Sequence, residues 1–442
     1  MKKLMKHTLY HIALLIIALL YSNEHHGQEL LTIQEAVTIA MENNFDIKIA
    51  SNSVAISEKN NSLANAGILP SINGTMTNNN TVVDIVQTQA NGDERKLDGA
   101  RNSNLSYGIS LNWTIFDGLR MFARHDQLKE LENLSQTELK RTILTKVSSV
   151  FSVYYDLVQQ KQQLTALDST IEISKQRLET AKNRYTIGKA SKLEVLNAEV
   201  DLNTDITSHL RQLEIYNNTK VQLNELLARE VTTDFDVYTI ITVAQNLNLK
   251  NLQTLAATQN PQLQSQLIQK RIQELQLKQV KANRLPLVQV NTGYNFSNSK
   301  SPFGFATQSE SQGYNYGFSA SLPIFNGFLQ NKNEKIASLE VEKSELEVAQ
   351  LTQLLQAQLA SAYQTYLTNL ELITLEAKNE TIAKENLDIT LEKFRIGTIT
   401  TIEFRAAQLN YVNAKVRYSN AQYLAKLSEI ALKELAGSLS LE

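Results

Sequence analysis

Two rhythms alternate along this chain. Leu105, Tyr107, Ile109, Leu111, Trp113 and Ile115 alternate with Ser106, Gly108, Ser110, Asn112 and Thr114, the period-two pattern of a strand with one apolar and one polar face. Val288, Val290, Thr292, Tyr294 and Phe296 repeat it, and so do Tyr314, Tyr316, Phe318, Ala320, Leu322 and Ile324, each set separated by small polar residues. A weaker strand, rich in Asn and Thr, precedes them. The spacing predicts strands at about 71–86, 104–116, 287–296 and 313–325, joined in pairs by polar loops over 87–103 and 297–312. Strands of this length with aromatics on the apolar face match tilted membrane-crossing strands. The same alternation also fits a soluble sheet with one wet face.

The second rhythm is helical. From Leu119 to Ile187, and from Phe328 to Ile396, 69 residues pass without Gly or Pro. At 1.5 Å per residue each would span about 100 Å as one helix. Leu157, Leu164, Ile171, Leu178 and Tyr185 recur every seven residues, with Lys161, Asp168, Lys175 and Lys182 between them. That is a narrow stripe on a solvated helix, which needs neighbours along its length. Leu202, Ile206, Leu213, Tyr216, Leu223 and Leu227 supply a returning stripe. The reversals come at Tyr185-Thr186-Ile187-Gly188 and Phe394-Arg395-Ile396-Gly397. Gly188 and Gly397 are expected in the left-handed conformation past a helix end. Ser191 and Thr400 are expected to cap the next helix, with Glu194 and Glu403 completing capping boxes. Helical hairpins are thus predicted over about 119–229 and 328–437. Shorter helices are expected over 32–43, 46–66, 248–258 and 261–283, with a short strand within 234–241.

The two glycines lie 209 residues apart, and the same offset carries Trp113-Thr114-Ile115-Phe116-Asp117-Gly118 onto Leu322-Pro323-Ile324-Phe325-Asn326-Gly327. Upstream the offset becomes 216, matching Leu69-Pro70 with Leu285-Pro286 and Asn44 with Asn260. A period this long is duplication of a whole unit rather than a solenoid. The expected division is a signal segment over 1–27, a first repeat over 28–245 and a second over 246–442.

Composition narrows the class. The 442 residues carry a formal charge of −2, with no basic excess to engage nucleic acid. Cysteine is absent, which excludes a disulfide framework, a thiolate nucleophile and an acylated cysteine. Lys2, Lys3 and Lys6 followed by the apolar run Ile12–Leu20 read as a secretory signal, with cleavage expected after Gly27. No later run is long enough for a spanning helix, so a membrane form must be a β-barrel. Four strands leave two unpaired edges that lipid does not tolerate, so the chain must oligomerise. A dimer would supply eight strands and a trimer twelve.

The ordered set of signal, Leu31-Thr32-Ile33-Gln34-Glu35-Ala36, the junctions at Gly118 and Gly327, and the turns at Gly188 and Gly397 resembles the outer-membrane efflux proteins of the TolC family. The resemblance covers about residues 30–438 and is specific in its order. It implies a mainly α chain with a membrane β-barrel: four strands per chain, twelve in a homotrimer, and a periplasmic tunnel of long antiparallel hairpins. It further implies an exit duct in the outer membrane, for small molecules or proteins. Its partners would be a periplasmic adaptor and an inner-membrane pump or ABC transporter, with outer-membrane lipid around the barrel. The alternative is a coiled-coil scaffold or surface interaction protein without a pore, which leaves the paired strands unexplained.

No enzyme constellation, cofactor motif or metal cluster emerges. Outside the signal only His125 and His209 remain, each alone on a helix. The functional expectations sit at the turns. Tyr185, Gly188, Ser191, Phe394, Gly397 and Thr400 would form the periplasmic tips and the docking edge for an adaptor. Glu194 and Glu403 would bring carboxylates near a trimer axis and favour cations. In the family the second turn carries a Tyr three residues before its Gly and an Arg two after. Here those places hold Phe394 and Ile399, so a hydrophobic constriction by Ile399 and Phe394 is expected instead. Trp113, Tyr107, Tyr294, Tyr314 and Tyr316 are candidates for an aromatic girdle.

Overall fold

A computed structural model describes residues 30–302 and 306–439; the expected signal segment lies outside them. The chain runs β1 (Leu30–Leu31), α1 (Ile33–Asn43), α2 (Phe45–Asn60), β2 (Ser71–Thr88), β3 (Glu94–Asp117), α3 (Arg120–Thr186) and α4 (Lys192–Leu226). It continues with β4 (Asp236–Val237), α5 (Leu249–Gln259), α6 (Pro261–Ala282), β5 (Leu287–Lys300), β6 (Gln308–Ser321), α7 (Leu329–Ile396) and α8 (Thr401–Ala436). β2-β3-β5-β6 form one antiparallel sheet, and β1 pairs with β4 in parallel. No helix among the described residues is long and apolar enough to cross a membrane.

Where chain meets helix, polar side chains take up the orphan backbone groups. The Thr32 hydroxyl accepts from the Glu35 amide while the Glu35 carboxylate accepts from the Thr32 amide, closing a capping box on α1. Asn44 caps α2 and also donates from Nδ2 to the Leu226 carbonyl at 2.9 Å. Asn260 caps α6, which starts on Pro261, and donates to the Leu435 carbonyl at 2.9 Å. Tyr154 donates to Leu31 O at 2.9 Å, as Tyr363 does to Leu247 O at 3.1 Å. These ties fasten the short helices onto the middles of the long hairpins. There the largest apolar cluster forms: Leu31, Val37, Tyr154, Leu157, Val158, Leu223, Phe235 and Val237 among its buried members. A second cluster packs α5 on α7 and α8 through Leu252, Ala256, Leu359, Tyr366 and Leu432.

Four differences from the sequence expectation have physical causes. The helix expected to reach residue 66 stops at Asn60, because Asn65 donates to Asn60 O and Ser62 Oγ accepts from Asn65 N, drawing the backbone into turns. The loop expected over 87–103 is mostly strand: β2 and β3 stay paired out to Thr88 and Glu94 around a turn holding Asn91-Gly92, with Gly92 at φ +91°. The loop expected over 297–312 shrinks likewise, since β5 runs to Lys300 and β6 begins at Gln308; β6 ends at Ser321, before Pro323. Finally, the α3 seam drifts. Leu157 and Leu164 are buried, but Tyr185 is exposed, and the buried positions become Thr170, Ser174, Arg177 and Ala181. A seven-residue stripe slides around a helix of 3.6 residues per turn unless supercoiling compensates.

Candidate functional site

The tip is built by two turns and four helix ends. Gly188 and Gly397 have φ of +78° and +86°. Open space surrounds Gly188, whereas the Arg184 guanidinium sits against Gly397. Ser191 and Thr400 cap α4 and α8 through the Glu194 and Glu403 amides. The two glutamates then part ways. Glu403 closes the capping box by accepting from Thr400 N at 2.9 Å, and it is exposed. Glu194 instead lies 3.8 Å from the Arg184 guanidinium.

Arg184 is the tip residue that sequence reasoning passed over. It donates to the Phe394 carbonyl and lies over the Phe394 ring, 4.8 Å from its centroid. Phe394 stacks on Phe404 at 5.1 Å and is only 1% exposed, in a cluster with Leu387. Within the chain, Phe394 is thus buried between the hairpins rather than presented at the surface of the tip. Ile399 is half-buried and packs against this cluster. Tyr185, Ile187 and Ile396 stay exposed at the end of the tip. An arginine in the last turn of a helix ordinarily reads as a complement to the helix dipole, so nothing in its position announced a contact across hairpins.

Behind the tip a buried polar cluster joins the hairpins. Arg405 of α8 grips Asp205 of α4 with two bonds of 2.8 Å. Ser174 donates to Asp205 at 2.6 Å, and Gln408 donates to Ser174 Oγ and Thr170 O. Arg177, 3% exposed, pairs with Asp201. Sequence reasoning missed this cluster: Ser174, Arg177 and Asp205 are buried yet fall off the seven-residue stripe and its returning partner.

At the other end, the register of the sheet sorts its residues onto two faces. Ile72, Met76, Tyr107, Ile109, Trp113, Val290, Tyr294, Tyr314, Tyr316 and Phe318 fall on one, largely exposed. Tyr107 stacks on Phe296 at 4.9 Å and Tyr294 meets Tyr314 edge-on at 4.6 Å, so the aromatics form a continuous patch across β3, β5 and β6. Trp113 donates from its indole to Ile68 O at 2.9 Å. β2 and β6 are the free edges of the sheet in the chain. Among the described residues no cluster of His, Cys, Asp and Glu is arranged to hold a metal ion.

Comparison with known proteins follows this geometry. Residues 36–229 and 252–438 match the family described as outer membrane efflux protein. The outer membrane protein TolC of Escherichia coli (strain K12) is 21% identical over 371 residues, 80% of this chain and 73% of that protein. Among solved structures, the Campylobacter jejuni CmeC outer membrane channel aligns with a TM-score of 0.78 at 16% identity, over 92% of this chain and 85% of that one. The outer-membrane channel OprN aligns at 0.75 and 14% identity, over 92% and 90%. The TM-scores show a shared fold, and the family match spans both hairpins and both strand pairs: the chain belongs to the outer membrane efflux protein family, and its place is the outer membrane.

Proposed function

We propose that three copies of this chain close a twelve-stranded barrel in the outer membrane and extend a helical tunnel into the periplasm. The assembly would be an exit duct for small molecules or proteins, fed by an adaptor and an inner-membrane pump or ABC transporter. The observation that carries this reading is the sheet. It has an exposed aromatic face, a polar face nearly free of charge and two free edges, a combination that lipid accepts only in a closed barrel. Exposed stripes on the helices support assembly of copies. Leu375, Ile382, Ile389 and Ile396 line α7 at seven-residue spacing, each at least half exposed, and Leu193, Leu196 and Val200 line the start of α4. Such stripes seek partner helices.

Within this reading, Tyr185, Gly188, Ser191, Gly397 and Thr400 form the rim offered to an adaptor. Glu403 is the selectivity residue, since its carboxylate is exposed; Glu194 is partly neutralised by Arg184. Internal duplication accounts for the paired ties Asn44–Leu226 and Asn260–Leu435, and Tyr154–Leu31 and Tyr363–Leu247. Single-channel recording of the purified protein in a planar bilayer tests the duct. Stable cation-preferring steps are expected, with the preference reduced in Glu403→Gln. Protein that neither inserts into the bilayer nor conducts would leave a periplasmic scaffold as the function.

A further inference from the structure

The register assigns the side chains on the polar face of the sheet above its base. On β2 these are Ser71 through Thr81 at alternate positions, on β3 Asn102 through Thr114, on β5 Gln289 through Ser299 and on β6 Ser309 through Ser321. Each one is Asn, Gln, Ser, Thr or Gly. Of the charges on or beside these stretches, Arg101, Lys300 and Glu310 fall on the opposite face, while Asp117 ends the polar face at its base, in the row of Leu287 and Ser321. A face free of charge over these stretches of four strands, above Asp117, is not what random placement on a chain with 20% charged residues gives.

The amides on this face lie along the wall. Asn295 donates to Asn315 Oδ1 at 2.7 Å, and Gln289 donates to Thr114 Oγ1 at 3.3 Å. Glycines make room for them. A Cβ at Gly108 would meet Asn295 Oδ1 at 2.3 Å and Tyr294 O at 2.6 Å; one at Gly293 would meet Ile109 O at 2.7 Å and Asn315 Oδ1 at 3.1 Å. At Gly317 it would meet Asn291 Oδ1 at 3.2 Å and nothing else within 4 Å. Gly108 and Gly293 thus let the backbones of β3 and β5 approach closely, the device by which sheets curve. All three let a neighbouring carboxamide fold flat rather than project.

We propose that the barrel section above Asp117 is a charge-free bore, lined by flat carboxamides and hydroxyls and held wide by Gly108, Gly293 and Gly317. It admits hydrated cargo of either charge and leaves charge selection to the helical tip. This rests on the duct reading above. Amides offer donors and acceptors equally and set up no net field, so neither anionic nor cationic cargo is delayed there.

The absence of cysteine makes the test clean. Asn295→Cys, Asn291→Cys and Tyr316→Cys are each introduced into the full chain and assembled in outer membrane. Their rates of reaction with a cationic and an anionic methanethiosulfonate of similar size are then compared. At Asn295→Cys and Asn291→Cys the ratio of the two rates is expected within about two-fold of that for free cysteine in water, as for a site without local field. Adding Asn315→Asp should raise the cation-to-anion ratio at Asn295→Cys severalfold. Gly317→Leu, which meets only a movable side chain, should slow the bulkiest reagents at Asn295→Cys. A parent-like background that disfavours the anionic reagent by about ten-fold would mean a charged bore and overturn the proposal. So would an unreactive Asn295→Cys beside a water-reactive Tyr316→Cys, which would reverse the two faces. Unchanged access in Gly317→Leu would remove the glycines from the account of its width. A parent protein that fails to insert and conduct would remove the duct itself; a conducting parent with either labelling failure overturns the lining alone.

Discussion

Two residues show how much of the interior depends on buried charge. Asp205 receives two bonds from Arg405 and one from Ser174, and all three side chains are largely withdrawn from water. Asp205→Ala leaves the Arg405 guanidinium buried without its main partner, at a cost of about 3 kcal/mol. The double change Asp205→Leu with Arg405→Met should cost less, because it removes both charges. Hydrogen exchange of the amides in 170–210 measures both, since that end of the hairpin can open locally. Glu429 is the second case. Burial pushes its carboxyl up, but bonds from Lys433, the Ala244 amide and Lys426 outweigh that and hold it below the ordinary 4.5. A depressed folded-state value stabilises above the unfolded value and is lost as pH falls through the folded one. Protection of the Ala244 amide should therefore fall as pH drops below about 4.5 in the parent protein and stay flat there in Glu429→Gln. Neither cluster was legible in the sequence, because a carboxylate on a long helix looks the same whether its partner is one turn away or on another hairpin. Arg184 was hidden for the same reason. Gly188, Gly397, Ser191 and Thr400 were legible, because backbone geometry at a reversal restricts the residue type.

Elements were more legible than contacts. Strand and helix periods differ, and the five prolines and the turn glycines mark most boundaries. The misses came where local signals competed. Asn91-Gly92 is a hairpin turn inside a stretch whose charges read as loop, and Asn65 and Ser62 unwind the end of α2. The junctions that look alike in sequence also differ in space. Gly118 and Gly327 both have positive φ, at +73° and +66°, and each is followed by a left-handed residue, Leu119 or Phe328. A Cβ at Gly118 would strike Ala282 O at 2.3 Å, whereas Gly327 has open surroundings within the chain. Gly327→Ala should cost about 1–2 kcal/mol from backbone strain alone. Gly118→Ala should cost clearly more and lower the yield of folded protein in the outer membrane. Equal yields of the two variants would mean that α6 moves away from the junction at little cost.

At the scale of the whole molecule, the chain is a pair of long hairpins with a sheet at one end, and both ends are unfinished. The sheet lacks neighbours on β2 and β6, and the helices carry stripes with no cover inside the chain. For the assembly proposed above, copy number was not legible from physics, since edge pairing would close with any number that curvature permits; the close approach of β3 and β5 at Gly108 and Gly293 would set that curvature. The unfinished edges carry a further implication for the chain before it assembles. A lone copy waiting in an aqueous compartment displays two ready templates for strand addition, one of them 18 residues long. Any extended polypeptide in that compartment can dock there as readily as a sister chain. Each edge strand carries a single charge, Asp84 on β2 and Glu310 on β6, so little charge stands on either edge to repel such intruders. In the proposed assembly, pairing with a sister chain would thus compete with pairing to unlike strands, and shielding or a short solitary lifetime would favour the former.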